Sequence, residues 1–298
     1  MATPKLLPMH LGVSASRVSL PAGDWITLLD FLCHRFPAIG REEWVARIHK
    51  GHVLHEDHSA VGLDEPYTPH QFIFYYRDVP QEATLPQDAQ VLFEDEHVLV
   101  ADKPHFMLVT PGGRYLQSCL LVQLKRLTAC ESLTPIHRID RETAGLVLFS
   151  INPKERNAYQ AMFRDHAVTK HYEAIAPWRQ NLTWPITRKS RIIEDEPFFR
   201  QREVPGQPNS ETHMDMIEKS GGLARYALSP VTGKKHQLRV HMNALGLPIL
   251  NDRMYPPVAE TPDDDYRLPL QLLAKNISFI DPLKGVTRVF TSELKLAY

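Results

Sequence analysis

A short apolar run, Leu146, Val147, Leu148 and Phe149, follows Gly145 and is entered through a dense run of charge. No polar residue interrupts it, so it reads as a strand covered on both faces. Immediately before it, His137, Arg138, Asp140, Arg141 and Glu142 crowd into six positions. A chain like this must bring a carboxylate flanked by two guanidiniums to the mouth of a core element. On charge alone the stretch is a solvated turn whose charges neutralise one another.

The length of 298 residues allows one large domain, or a small one followed by a larger one. Cys33, Cys119 and Cys130 form no CxxC pair and are odd in number, which argues for a reducing compartment with neither a zinc site nor a disulfide framework. The opening MATPKLLPMHLG has one lysine and no apolar core for export, and no apolar run approaches membrane-spanning length. The expectation is a cytoplasmic protein with no membrane partner. A net charge of −1 weighs against a nucleic-acid partner, because phosphate binding needs concentrated cations. The charge is uneven, however. Arg188, Lys189, Arg191, Arg200 and Arg202 cluster, as do Lys234, Lys235 and Arg239, while Glu260, Asp263, Asp264 and Asp265 gather elsewhere. A local basic face under a neutral total is one reading, and solvated loops of both signs is the other.

In chain order, residues 24–36 place Trp25, Leu28, Leu29, Leu32 and Phe36 at helical spacing before Pro37, and REEWVARIHKG is a second helix closed by Gly51. VLH and HQFIFYYRD read as short strands. Residues 79–89 are polar, carry two prolines and form the linker between a small module over 1–78 and a larger domain over 90–298. VLFEDEHVLVADKP is a hairpin, and Ser118–Leu127 a helix. Asn152 and Pro153 predict a helix start, with the helix running to Asp165. VTKHYEAIA is a strand with Lys170, Tyr172 and Ala174 on one face. Residues 178–222 show weak periodicity, and either a hairpin insertion or an ordinary surface connection fits them. Ala224–Leu228 is a strand, Thr232–Gly233 a turn and His236–Leu245 a helix. QLLAKNISFIDP and GVTRVFTSEL close the chain as two strands joined by a turn at 281–285.

HRIDRETAGL closely resembles the H-R-L-D-x-x-T-S-G-L motif of the RluA-type pseudouridine synthases, with Ile139 and Ala144 departing from it. Asp102, Lys103 and Pro104 resemble the family's opening motif, with His105 where glycine or alanine often follows, close to where substrate should lie. Lys170, Tyr172 and Ala174 match K-x-Y-x-A. Thr232, Gly233, Lys234, His236, Gln237, Leu238, Arg239 and His241 match T-G-[RK]-x-H-Q-L-R-x-H. In the G-x-P-I-x-G-D-x-x-Y-G pattern, Gly246, Pro248, Ile249, Asp252 and Tyr255 are kept. Asn251 and Pro256 replace its glycines; asparagine tolerates a left-handed backbone, whereas proline implies a different loop after Tyr255. Leu272, Leu273 and Ala274 stand where relatives commonly carry Leu-His-Ala. Residues 1–78 loosely resemble the small RNA-binding module that often precedes this catalytic domain, but keep only Arg41, Arg47 and Lys50 of its basic helix.

The resemblance implies an α+β fold, a mixed and largely antiparallel sheet flanked by helices, with a small N-terminal α/β module. It implies an isomerase that turns a specific uridine of rRNA or tRNA into pseudouridine, acting as a monomer. No atom enters or leaves in that reaction, so no cofactor and no metal is expected. By resemblance Asp140 is the reacting carboxylate, Arg239 its bidentate partner, and Tyr172 the residue that packs against the target base and is a candidate to remove its C5 proton. Arg138 fills the space left by the flipped base or holds a phosphate; the alternative is a surface ion pair with Glu142. His137, Thr143, Lys170, Lys234, His236, Gln237 and Leu272 are the further residues expected to bind substrate. Three rival readings exist. Asp140 and Glu142 could form the acid pair of a glycosidase. His236 and His241 could hold a metal, although five-residue spacing on a helix disfavours it. Ala144, Asn251, Pro256 and Leu273 could mark an RNA-binding protein that has lost catalysis.

Overall fold

The computed structural model describes residues 12–77, 82, 84–113, 115–196, 199–256 and 265–298. The chain forms two compact units, Met1–Glu82 and Ala83–Tyr298. Most of the opening dodecapeptide, part of the expected linker, and Glu260, Asp263 and Asp264 lie outside the described residues, as does the segment that follows Pro256.

The first unit contains β1 (Ser16–Ser19), α1 (Leu28–Arg35), α2 (Arg41–His49), β2 (Val53–His55) and β3 (Phe72–Tyr75), with the strands in the order β1-β3-β2. Helix α1 starts where Thr27 and Asp30 form a reciprocal capping box. Its apolar stripe buries Phe31 and Leu32 against Trp44 of α2 and Ile73 of β3. Arg41 and Arg47 of the basic set are engaged within this unit. Arg41 pairs with Asp30 at 2.9 Å, and the buried Arg47 pairs with Glu43.

The second unit runs β4 (Gln90–Glu94), β5 (Val98–Lys103), α3 (Leu120–Thr128), β6 (Thr134–Pro135), β7 (Ala144–Ser150), α4 (Arg156–Arg164), β8 (Val168–Pro177), β9 (Ile186–Glu194), β10 (Gln201–Val204), β11 (Ser210–Ser220), β12 (Leu223–Pro230), α5 (Gln237–Ala244), β13 (Leu272–Ile280) and β14 (Thr287–Thr291). These strands form one sheet in the order β10-β9-β11-β12-β8-β13-β7-β5-β4, with β14 added to β13 and β6 to β7. Every pairing is antiparallel except β13 with β7.

Strand β7 is buried along its whole length, as the uninterrupted apolar run requires. Leu146 and Leu148 pack with Tyr159 and Met162 of α4 on one face. On the other, Val147 and Phe149 pack with Leu120 and Leu124 of α3. Each such side chain contributes about 1.5–3 kcal/mol on burial. Gly145 is obligatory here: its φ is +110°, and a Cβ would lie 2.3 Å from Ala274 O on the parallel neighbour.

Of the two alternatives for the region 178–222 the hairpin is the one found, and one expectation changes. Strands β9 and β10 are consecutive antiparallel neighbours, a hairpin at the edge of the sheet, and β11 pairs β9 to join it to the remaining strands. Their buried and exposed positions alternate, and charged residues occupy many of the outward positions. Helix α4 begins at Arg156, later than the Asn152–Pro153 pair predicts. Asn152 caps a turn instead, its Oδ1 accepting Lys154 N–H at 3.1 Å.

Candidate active site

The loop between β6 and β7 carries Asp140, and its backbone is held from β5. Lys103, at the end of β5, is wholly buried, and its Nζ donates to Pro104 O at 2.9 Å, Met107 O at 2.8 Å and Arg141 O at 3.1 Å. Burial pushes this ammonium down to about 7, opposed by the carboxylates of Glu142 and Asp140. His105 Nδ1–H donates to Glu142 O at 2.8 Å, and Thr143 N–H closes a turn onto Asp140 O at 3.2 Å. His105 therefore clamps the loop from behind and does not line the cavity, contrary to the expectation that it lies beside substrate.

Asp140 opens into a cavity lined by Arg138, Thr143, Lys170, Tyr172, Lys234, His236, Gln237, Arg239 and Leu272, together with Ile139, Pro230, Thr232, Gly233 and Leu238. The loop, β8, the turn after β12, the start of α5 and the start of β13 all contribute. Four Lys or Arg side chains and one carboxylate face this space, so a basic site exists under the neutral total.

The arginine geometry differs from the expectation. Arg239 does not give its fork to Asp140. Nε and Nη2 donate to Asp252 Oδ2 and Oδ1 at 2.8 and 2.7 Å, and Nη1 lies 3.6 Å from Asp140 Oδ2. The Arg239 and Asp252 side chains are 2% and 0% exposed, against 29% for Asp140. Burial works against the guanidinium charge, but the bonds and charge of Asp252 outweigh it and raise the pKa further. Asp252 Oδ1 also accepts Met254 N–H and Tyr255 N–H, which fixes the start of the following turn.

Tyr172 lines the cavity, and burial, then the nearby Asp140, pushes its phenol up, so it stays protonated. Lys170 Nζ reaches Thr232 O at 3.4 Å. Gln237 has every hydrogen-bonding position of its amide engaged. Oε1 accepts from Thr232 Oγ1 and Lys234 N–H, and Nε2 donates to Glu211 O and Thr212 Oγ1. It shapes the turn and offers substrate no free donor. Arg138 is exposed at the cavity and has no ion pair among the described residues; Glu142 pairs with Arg141 at 2.8 Å instead.

His137 stands apart from the cavity. Its ring stacks on Phe163 with centroids 4.4 Å apart, and its Nε2 accepts Leu148 N–H at 3.1 Å. The same geometry weakens two of the rivals. Glu142 is turned to Arg141 and does not face Asp140 across the cavity. His236 Nδ1 meets Tyr255 Oη, whereas His241 is bonded to Ser190, Ser210 and Thr212, so the two imidazoles share no ligand position. Lys103, Asp252 and Tyr255 were visible only as motif letters, because nothing in spacing shows which partner each one takes.

A family model for RNA pseudouridylate synthases matches residues 97–244, which hold nearly all of these elements. The dual-specificity RNA pseudouridine synthase RluA of Haemophilus influenzae is 30% identical over 209 residues, covering 68% of this chain and 92% of that protein. The chain belongs to the RluA-type pseudouridine synthase family. It is accordingly an isomerase that converts uridine to pseudouridine in RNA. An RNA pseudouridine synthase of Synechocystis is 29% identical over 233 residues, covering 77% of this chain and 79% of the relative. The fold of this RluA-type chain is also that of human RNA pseudouridylate synthase domain containing 1, with a TM-score of 0.57 and 21% identity over 70% of this chain and 86% of that one.

Proposed function

We propose that this synthase isomerises a specific uridine in structured rRNA or tRNA, with Asp140 as the carboxylate that acts on the flipped nucleotide. The observation that carries the reading is the convergence of Asp140, Tyr172 and Arg239 on one basic cavity. Extruding the base costs a few kcal/mol. Stacking on the Tyr172 ring returns about 1–3 kcal/mol of that. A phenol kept protonated is suited to packing; it can take the C5 proton only after giving up its own. In this reading Arg138, exposed at the cavity, holds a phosphate or occupies the vacated stack.

The reading of the fold as a binding protein without catalysis finds little support in its own marker residues. Ala144 and Leu273 are register partners that pack with Ile175 and Leu296, and neither lines the cavity. Asn251 takes a φ of +64°, the conformation that its glycine counterpart would supply. Substrate identity is tested by mapping pseudouridines in rRNA and tRNA from cells with and without the gene. Loss of at least one site is expected, and identical maps contradict the proposal.

A further inference from the structure

The acidic end of the cavity contains a second nitrogen that the aspartate–arginine pair does not account for. His236 Nε2 lies 3.9 Å from Asp140 Oδ2, the same oxygen that Arg239 Nη1 approaches at 3.6 Å. The ring is buried, and its other nitrogen, Nδ1, is 2.8 Å from Tyr255 Oη. That hydroxyl already accepts Gln201 N–H at 2.7 Å. With one lone pair taken, the phenolic hydrogen needs an acceptor, and His236 Nδ1 is the one within reach among the described residues. Nδ1 is then bare, and the ring's single hydrogen sits on Nε2, facing Asp140.

We propose that His236 is a positioning residue for Asp140, locked by Tyr255 in the tautomer that donates from Nε2. The inference rests on reading Asp140 as the reacting carboxylate. Two donors then gather on Oδ2, one cationic and one neutral, and Oδ1 is left to meet the substrate. Both donors lie slightly beyond hydrogen-bond range, and desolvation by a bound nucleotide shortens such contacts. The groups that face the ring are Asp140, Arg239, Lys235 and Asp252, and burial outweighs their combined effect, holding the imidazole neutral with a pKa of about 4. Backbone geometry supports the placement. His236 takes a left-handed φ of +55° immediately before α5, a conformation histidine adopts more readily than most residues, and its Nε2 lies on the side of the Asp140 loop.

The test combines a spectroscopic signature with turnover, using the full chain and a uridine-containing RNA that it modifies. Nitrogen-15 NMR of the imidazoles near neutral pH should show His236 with a bare Nδ1 and a protonated Nε2, and Tyr255→Phe should release this into a mixture of tautomers. His236→Ala should lower kcat by about 10-fold to 100-fold with KM little changed, as expected for a misplaced reacting group. His236→Gln, which keeps an N–H near the ε position, should recover a substantial part. A protonated Nδ1 in the wild type, or wild-type kcat in His236→Ala, overturns the proposal. Asp140→Asn assayed alongside separates the two levels. If that variant is inactive while His236→Ala is unimpaired, the positioning role alone fails; if it turns over normally, the reading of Asp140 fails and this inference falls with it.

Discussion

Arg239 and Asp252 form a buried two-bond pair that commits the guanidinium fork and leaves a single nitrogen, Nη1, for Asp140. The arrangement explains why arginine, and not merely a positive charge, belongs at the start of α5. One side chain must satisfy a fully buried carboxylate and still present charge to a second, partly exposed one.

Arg239→Lys therefore cannot serve both partners. An ammonium that stays with Asp252 abandons Asp140, and one that moves to Asp140 leaves Asp252 buried and unpaired. We expect at least a 100-fold loss of turnover, about 3 kcal/mol or more, and a loss of stability approaching the roughly 3–5 kcal/mol typical of a broken buried pair. Steady-state kinetics together with urea unfolding check this. Near-wild-type values for both would show that the fork is dispensable.

Ala144 and Leu273, two positions where the sequence departs from the motifs it resembles, face each other in the parallel register of β7 and β13, inside an apolar cluster with Ile175 and Leu296. Leu273→His should destabilise the protein by about 1–3 kcal/mol, because the imidazole meets no partner. Adding Ala144→Ser should return part of that loss, a coupling on the order of 0.5–3 kcal/mol. Thermal unfolding of the two single variants and the double variant gives the cycle, and strict additivity would show the sites to be independent.

Acid should weaken the fold well before the carboxylates titrate. His137 accepts Leu148 N–H on its Nε2, so protonating it breaks a hydrogen bond. Burial, then the charge of Lys170, pushes its pKa from 6.5 down to about 3. Burial likewise holds His236 and His241 down at about 4. Below pH 6.5 the unfolded chain takes up protons that the folded chain refuses, so stability falls as pH drops from about 6.5 toward 4 and is flat in this respect above it. Urea midpoints at pH 7 and pH 5 should differ in that direction, and equal midpoints would contradict the assignment of neutral buried rings.

How far the chain could be read in advance depended on what each residue packs against. Strand β7 was legible because four adjacent apolar residues have no other use than burial on both faces. Strands β9 to β11 were legible only as far as a hairpin offered beside a surface connection, because sheet positions filled by arginine, lysine and glutamate look like loop, and pairing across Thr212, Arg188 and Glu203 decides it. The motif residues of the cavity were visible, yet their division of labour was not. The residue spacing did not show that Asp252 would take the fork of Arg239, that His137 would turn to Phe163, or that His105 would hold the loop backbone. Such choices follow from which polar groups the fold leaves unsatisfied together.

The most direct measurement of the central claim is pseudouridine formation by Asp140→Asn on an RNA that the wild-type protein modifies, with RNA affinity measured in parallel. The substitution preserves shape and removes the carboxylate, so turnover should vanish while binding, carried by the cationic cavity and the Tyr172 ring, largely survives. Turnover at the wild-type rate would show that Asp140 is not the reacting group.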